Sequence, residues 1–290
     1  LRMDSWLLLL VFGVLAGFLG GLFGVGGGIV YAPLLGWWLA GKGWQGSALV
    51  ELVLSNSLAL TLLTGVLGWG LWLRKGVKTG WDGFVLGLPS ALTAVSMAHL
   101  VRQGGWYQPA GFRWVFGLML GLVLLRNAHR LWSESRSGTP YPKRALSKLS
   151  LPGLGAVAGV FSALSGLGGG AIMVPVLQRW GYRDQGAINA LSMGSIALMA
   201  GASTLYYAMI PSDLTIPLGG NGREWVMVGR LIPAFLLPCA LGTLLGLIPG
   251  IALAESMSSS ELGQRRLRWA LLVFLVLVLG WMNRSCWSNF

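Results

Sequence analysis

Polar positions are sparse along this chain and fall in short clusters between long apolar runs. The runs cover residues 5–23, 28–39, 48–73, 83–101 and 112–132, here segments A to E. After a polar stretch at 133–150 come 151–165, 170–180, 185–209, 225–252 and 267–282, segments A′ to E′. A helix needs about 20 apolar residues to cross a bilayer, so the pattern predicts an all-α integral membrane fold with about eight to ten transmembrane segments. B and B′ are too short to cross alone, since twelve residues of helix reach only about 18 Å; A and A′ are also short. Short, Gly/Pro-interrupted segments at matching places in two halves point to a transport site.

The halves match in detail. Residues 13–33 align with 155–175 at an offset of 142, with nine of 21 positions identical and a shared GxGGGxxxxP spacing. At an offset of 138, Ser57-Leu58-Ala59-Leu60 faces Ser195-Ile196-Ala197-Leu198 and Glu51 faces Asn189; Arg113-Trp114 matches Arg268-Trp269. The expected organisation is an N-terminal repeat at 1–132, a linker at 133–150 and a C-terminal repeat at 151–290. If A and B form a hairpin and C, D and E cross, each repeat ends opposite to where it began, so the second copy is inverted. Basic residues agree: the loops at 74–82, 126–150, 178–186 and 255–268 hold 14 Lys/Arg, against six on the other side. By the positive-inside rule, the linker is expected in the cytoplasm and both termini outside. The same parity holds whether A and B cross or re-enter. The run 7–23 has the look of a signal peptide, but it lacks a clear basic start and an A-x-A site, and its pattern recurs in A′.

Composition narrows the class. The chain has 290 residues, 54% hydrophobic and 10% charged, with mean hydropathy +0.68. A soluble domain carries roughly 25% charged residues. The net charge of +12 therefore reads as topology signal rather than nucleic-acid affinity. Cys239 and Cys286 form no CxxC pair, so no metal, cofactor or redox motif is expected.

The chemistry centres on Gly24-Val25-Gly26-Gly27-Gly28 and Gly166-Leu167-Gly168-Gly169-Gly170. Glycine costs a helix roughly 1 kcal/mol against alanine, so each triplet predicts a break. The first turn of the following helix then has free N–H groups, which attract an anion. Two inverted breaks aim two such ends at one solute. Gly13, Ala16, Gly17, Gly20 and Gly21 are expected instead to serve close helix contact. Pro33 and Pro175, five residues after the triplets, kink or shape the half-helices. Segments C and C′ offer Ser55, Asn56, Ser57, Asn189, Ser192 and Ser195 as neutral donors to the solute or as interhelical hydrogen-bonding groups. Glu51 is expected at the interface. Arg230 is expected to snorkel there, or else to face the cavity as a charge partner of the anion. No Asp or Glu sits in mid-span, which disfavours a proton pump. No HExxH, GxSxG or Walker pattern appears, so no catalytic residues are assigned.

The motifs FLGGLFGVGGGIVYAPLL at 18–35 and FSALSGLGGGAIMVPVL at 161–177 resemble the TauE/SafE family of sulfite exporters, the toluene sulfonate uptake permeases. The Ser-containing segments at 55–60 and 193–198 and the doubled organisation resemble it too, over residues 5–282. Asn56 departs from the small residues expected there. The resemblance implies a bacterial inner-membrane transporter of small sulfur-containing anions such as sulfite or organosulfonates. An exporter by alternating access is the leading expectation. An anion channel with the same broken helices, and a membrane-embedded enzyme or assembly subunit, are the alternatives.

Overall fold

The computed structural model describes residues 3–137, 150–180, 182, 184–211, 216–217, 224–225, 227–258 and 261–283. Cys286 and most of the 133–150 linker lie outside these. Ten helices follow in order: α1 (Met3–Phe23), α2 (Gly28–Ala40), α3 (Gly46–Arg74), α4 (Asp82–Gly104), α5 (Pro109–Ser137), α6 (Ser150–Ser165), α7 (Gly170–Arg179), α8 (Gln185–Ala208), α9 (Pro233–Ser258) and α10 (Glu261–Asn283). A two-residue antiparallel pair, β1 (Ile216–Pro217) with β2 (Glu224–Trp225), lies between α8 and α9. Segment D′ therefore starts later than its hydropathy suggests. Gly229 has φ +61, and the helix begins at Pro233, where a missing N–H costs nothing.

Among the described residues, six helices have the length and apolarity to cross a membrane: α1, α3, α4, α5, α8 and α9. Their outer faces expose large apolar side chains such as Leu92, Leu122 and Leu245, as lipid contact requires. At 13 and 10 residues, α2 and α7 reach roughly 20 and 15 Å, about half of a bilayer core.

Glycine contacts fix the relative directions of the helices. Gly13, Gly17 and Gly21 of α1 lie against Cys239, Thr243 and Leu247 of α9, so these helices run parallel. Gly155 and Gly159 of α6 lie likewise against Leu86 and Ser90 of α4. By contrast α3 and α8 run antiparallel: Leu62 meets Gly201, Gly65 meets Ala197 and Trp72 meets Gly186. Equivalent helices of the two halves thus run in opposite directions, and each first helix packs on the fourth helix of the other half.

Both ends of the α1–α2 hairpin lie on one side. α1 starts beside the start of α9, and α2 returns through residues 41–45 to the start of α3, where Glu51 pairs with Arg230 just before α9. The α6–α7 hairpin returns likewise on the opposite side, where Tyr182 after α7 donates to Asp82 at the start of α4 at 2.8 Å. The glycine breaks therefore form re-entrant tips. This decides the question that charge parity alone leaves open.

Candidate functional site

The two tips meet each other. A Cβ on Gly28 would overlap the Gly166 carbonyl, and one on Gly170 would lie 2.8 Å from the Val25 Cα. Such backbone-to-backbone approach is open only to glycine. Left-handed φ values at Gly24 (+68), Gly26 (+75), Gly166 (+69), Gly168 (+82) and Gly169 (+70) turn the chain at each tip. Gly27 and Gly169 cap α2 and α7 without a side-chain bond. Residues 20–29 and 162–171 are buried throughout.

Several amides at the tips donate to nothing among the described residues. They are those of Val25, Gly26, Gly28 and Ile29 in the first tip, and Gly168, Gly169 and Ala171 in the second. An unpaired buried N–H costs about 1–3 kcal/mol, and these seven, some of them first-turn amides of α2 and α7, lie together at the two tips.

The side chains around the tips come from the middles of α3 and α8. Ser57 Oγ donates to the Gly166 carbonyl at 2.9 Å, and Ser192 Oγ donates to the Gly24 carbonyl at 3.0 Å. Each half therefore latches the tip of the other. Thr61 lies between the tips, its methyl group adjoining both Gly26 and Gly168. Its hydroxyl is fully buried and has no partner among the described residues. Thr64 Oγ1 accepts from the Gly27 amide at 3.5 Å. Asn189 lies against Gly24; its Oδ1 accepts from Gln185 at 2.9 Å, while its Nδ2 is buried without a partner.

These contacts correct the register of C against C′. Ser57 and Ser192 are equivalent, as are Leu54 and Asn189, which adjoin Gly166 and Gly24 respectively. Thr64 and Met199, beside Gly27 and Gly169, make a third pair. The offset is 135, nearly one helical turn from the 138 that the sequence match suggests. Glu51 thus corresponds to Gly186, and Ser195 only donates back to Leu191 of its own helix at 2.9 Å. Thr61 and Thr64 were missed from sequence, although Ser57, Thr61 and Thr64 stand at i, i+4 and i+7 on one helical face.

Ser55, Asn56 and Arg230 stand elsewhere. The Arg230 carbonyl accepts from Ser55 Oγ at 2.9 Å and from Asn56 Nδ2 at 3.0 Å, while Asn56 Oδ1 accepts from the Ile232 amide at 2.7 Å. The pair pins the irregular chain before α9. Arg230 does not snorkel: it is 6% exposed, and its Nε lies 3.2 Å from Glu51 Oε1, which Arg102 approaches at 3.7 Å. Glu51, in the first turns of α3 and 12% exposed, is a half-buried partner of both arginines. Both prolines lie within their helices, which run on past them to Ala40 and Arg179. No metal-binding cluster of His, Cys, Asp or Glu occurs among the described residues.

The family model for the sulfite exporter TauE/SafE matches residues 9–284, the whole doubled bundle. The chain belongs to the TauE/SafE family. Among curated relatives, a probable membrane transporter protein of Haemophilus influenzae is 28% identical over 184 residues, covering 63% of this chain and 67% of the relative. A second one from that organism is 22% identical over 243 residues, covering 83% and 77%. A probable membrane transporter protein of Methanocaldococcus jannaschii is 24% identical over 204 residues, covering 69% and 71%. No solved structure matches. As a TauE/SafE protein the chain is a multi-pass secondary transporter of the bacterial inner membrane and not an enzyme.

Proposed function

We propose that the chain exports a small sulfur oxyanion, sulfite or an organosulfonate, by alternating access, and holds it at the meeting tips. The carrying observation is the group of unpartnered donors gathered there: the tip amides, the Thr61 hydroxyl and the Asn189 amide. Gly24, Gly26, Gly27 and Gly28 with Gly166, Gly168, Gly169 and Gly170 supply the backbone. Ser57 and Ser192 set the tips in place, Thr64 holds the Gly27 amide, and Thr61 and Asn189 supply side-chain donors. A sulfite or sulfonate head presents three oxygens, acceptors that suit such a set. The paired helix ends contribute positive partial charge without a cation.

The repeats are residues 1–132 and 151–290, joined by 133–150. The linker is cytoplasmic and both termini face outward, in keeping with the 14-to-6 division of basic residues. Export from a negative interior gains about 2.3 kcal/mol per charge per 100 mV, so no coupling ion is required. Tips buried on all sides favour a transporter over an open pore.

Sulfite flux from proteoliposomes tests the reading. Gly27→Leu and Gly169→Leu are expected to abolish flux, because a side chain at the first would run into the Tyr31 ring and one at the second would lie against Met199 and Ala158 at a left-handed φ, so each displaces its tip. Full flux in both would overturn the assignment, and unitary currents would make the protein a channel.

A further inference from the structure

Aligning α3 and α8 at the offset of 135 orders the buried polar groups that lack partners. Trp69 and Trp72 near the end of α3 correspond to Thr204 and Tyr207 near the end of α8. All four carry a buried indole N–H or hydroxyl with no partner among the described residues, as does Thr61 where the helices cross. Because α3 and α8 are antiparallel, Trp72 marks the seam at one membrane side and Tyr207 marks it at the other.

The two surroundings correspond. Trp72, 4% exposed, packs on Ala190 and Met193 of α8 and on Leu247 and Ile251 of α9. Tyr207, fully buried, packs on Leu58 of α3 and Ala98 of α4. A basic–acidic pair flanks each. Lys75 lies 5.6 Å above the Trp72 ring and pairs with Glu255. The Arg230 amide donates to the Tyr207 carbonyl at 3.1 Å, and its guanidinium pairs with Glu51.

We propose that the anion travels along the α3–α8 seam, with the Trp72 indole N–H as its last protein donor on one side and the Tyr207 hydroxyl on the other. This rests on the central anion site proposed above. An indole nitrogen donates and never accepts, so Trp72 has no use for a cation. Left unpaired in a buried place, both groups cost stability, and a passing oxyanion supplies the acceptor each lacks. Lys75 beside the Trp72 ring draws the anion toward that mouth, and Glu255 keeps the mouth from holding it tightly; at the other end Arg230 joins Tyr207 through its backbone amide, and its guanidinium offsets the Glu51 carboxylate that acts on the Tyr207 hydroxyl.

The test is sulfite flux through oriented proteoliposomes, with sulfite supplied from either side. Trp72→Phe is expected to raise KM about tenfold for sulfite offered at the Trp72 side and by less than twofold from the other. Tyr207→Phe should show the opposite sidedness, and sulfite should still raise the Tm of both variants. Trp72→Tyr, which restores a donor, should recover most of the loss. Unchanged KM from both sides, or equal losses from both, would overturn the path. Should Trp72→Phe fail to fold, Tyr207→Phe carries the same sidedness test. Thr61→Val separates the two proposals: if it leaves sulfite stabilisation intact, the central site fails, whatever the two aromatic variants do.

Discussion

The two re-entrant tips share a glycine pattern but not their neighbours. The first tip faces Thr64 and Asn189; at the equivalent places the second faces Met199 and Leu54. The difference reaches the backbone: Gly27 is right-handed at φ −77 and donates to Thr64, whereas Gly169 is left-handed at φ +70. Close approach is thus imposed equally on both copies, while the polar equipment gathers around one. On the proposed reading, the first tip with α3 and α8 would carry the polar contacts to the anion, and the second tip would act mainly as its backbone counterpart.

The largest effects should ignore this asymmetry. Gly28→Val and Gly170→Val each force a side chain into the opposite tip, so both should abolish flux and lower stability by about 1–3 kcal/mol. Flux retained in either would mean that the tips separate at no cost. Next come variants that should expose the asymmetry. Thr64→Val and Asn189→Leu are each expected to weaken sulfite binding about fivefold to tenfold, the value of roughly one hydrogen bond. Met199→Leu should change it by less than twofold. Equal losses on both sides would place the chemistry evenly between the tips. The smallest effects belong to the latches: Ser57→Ala and Ser192→Ala should each cost about 1 kcal/mol, a Tm drop of a few degrees that is alike in the two.

Much of this was legible in the chain. The doubled GxGGGxxxxP predicts both breaks, and the half-length of α2 and α7 follows from their short apolar runs. The inversion follows from the placement of basic residues and reappears as the antiparallel α3–α8 crossing. The register of that crossing was not legible. Ser57 matches Ser195 in sequence, but helix crossing geometry selects Ser192, because the serine must reach the opposite tip. Asn56 was left open between solute donor and interhelical hydrogen bonding; it takes the second role, because the irregular chain before α9 has carbonyl and amide groups of its own that need partners. Arg230, expected to snorkel, is instead buried beside Glu51. Thr61 was passed over because a lone threonine in a membrane helix has no sequence mark beyond its spacing from Ser57 and Thr64.

Interlocking also bears on motion. With α1 lying along α9, α6 along α4, and each tip latched by the opposite half, the halves cannot rock as intact repeats.

The most direct measurement is the thermal stability of the purified protein with sulfite, in the parent chain and in Thr61→Val. A ligand bound only by the folded state raises Tm. Sulfite should raise it by several degrees in the parent, and Thr61→Val, which removes one central hydroxyl at constant shape, should abolish most of that rise. An undiminished rise in Thr61→Val, or a rise with cations and none with sulfite, would contradict a central anion site.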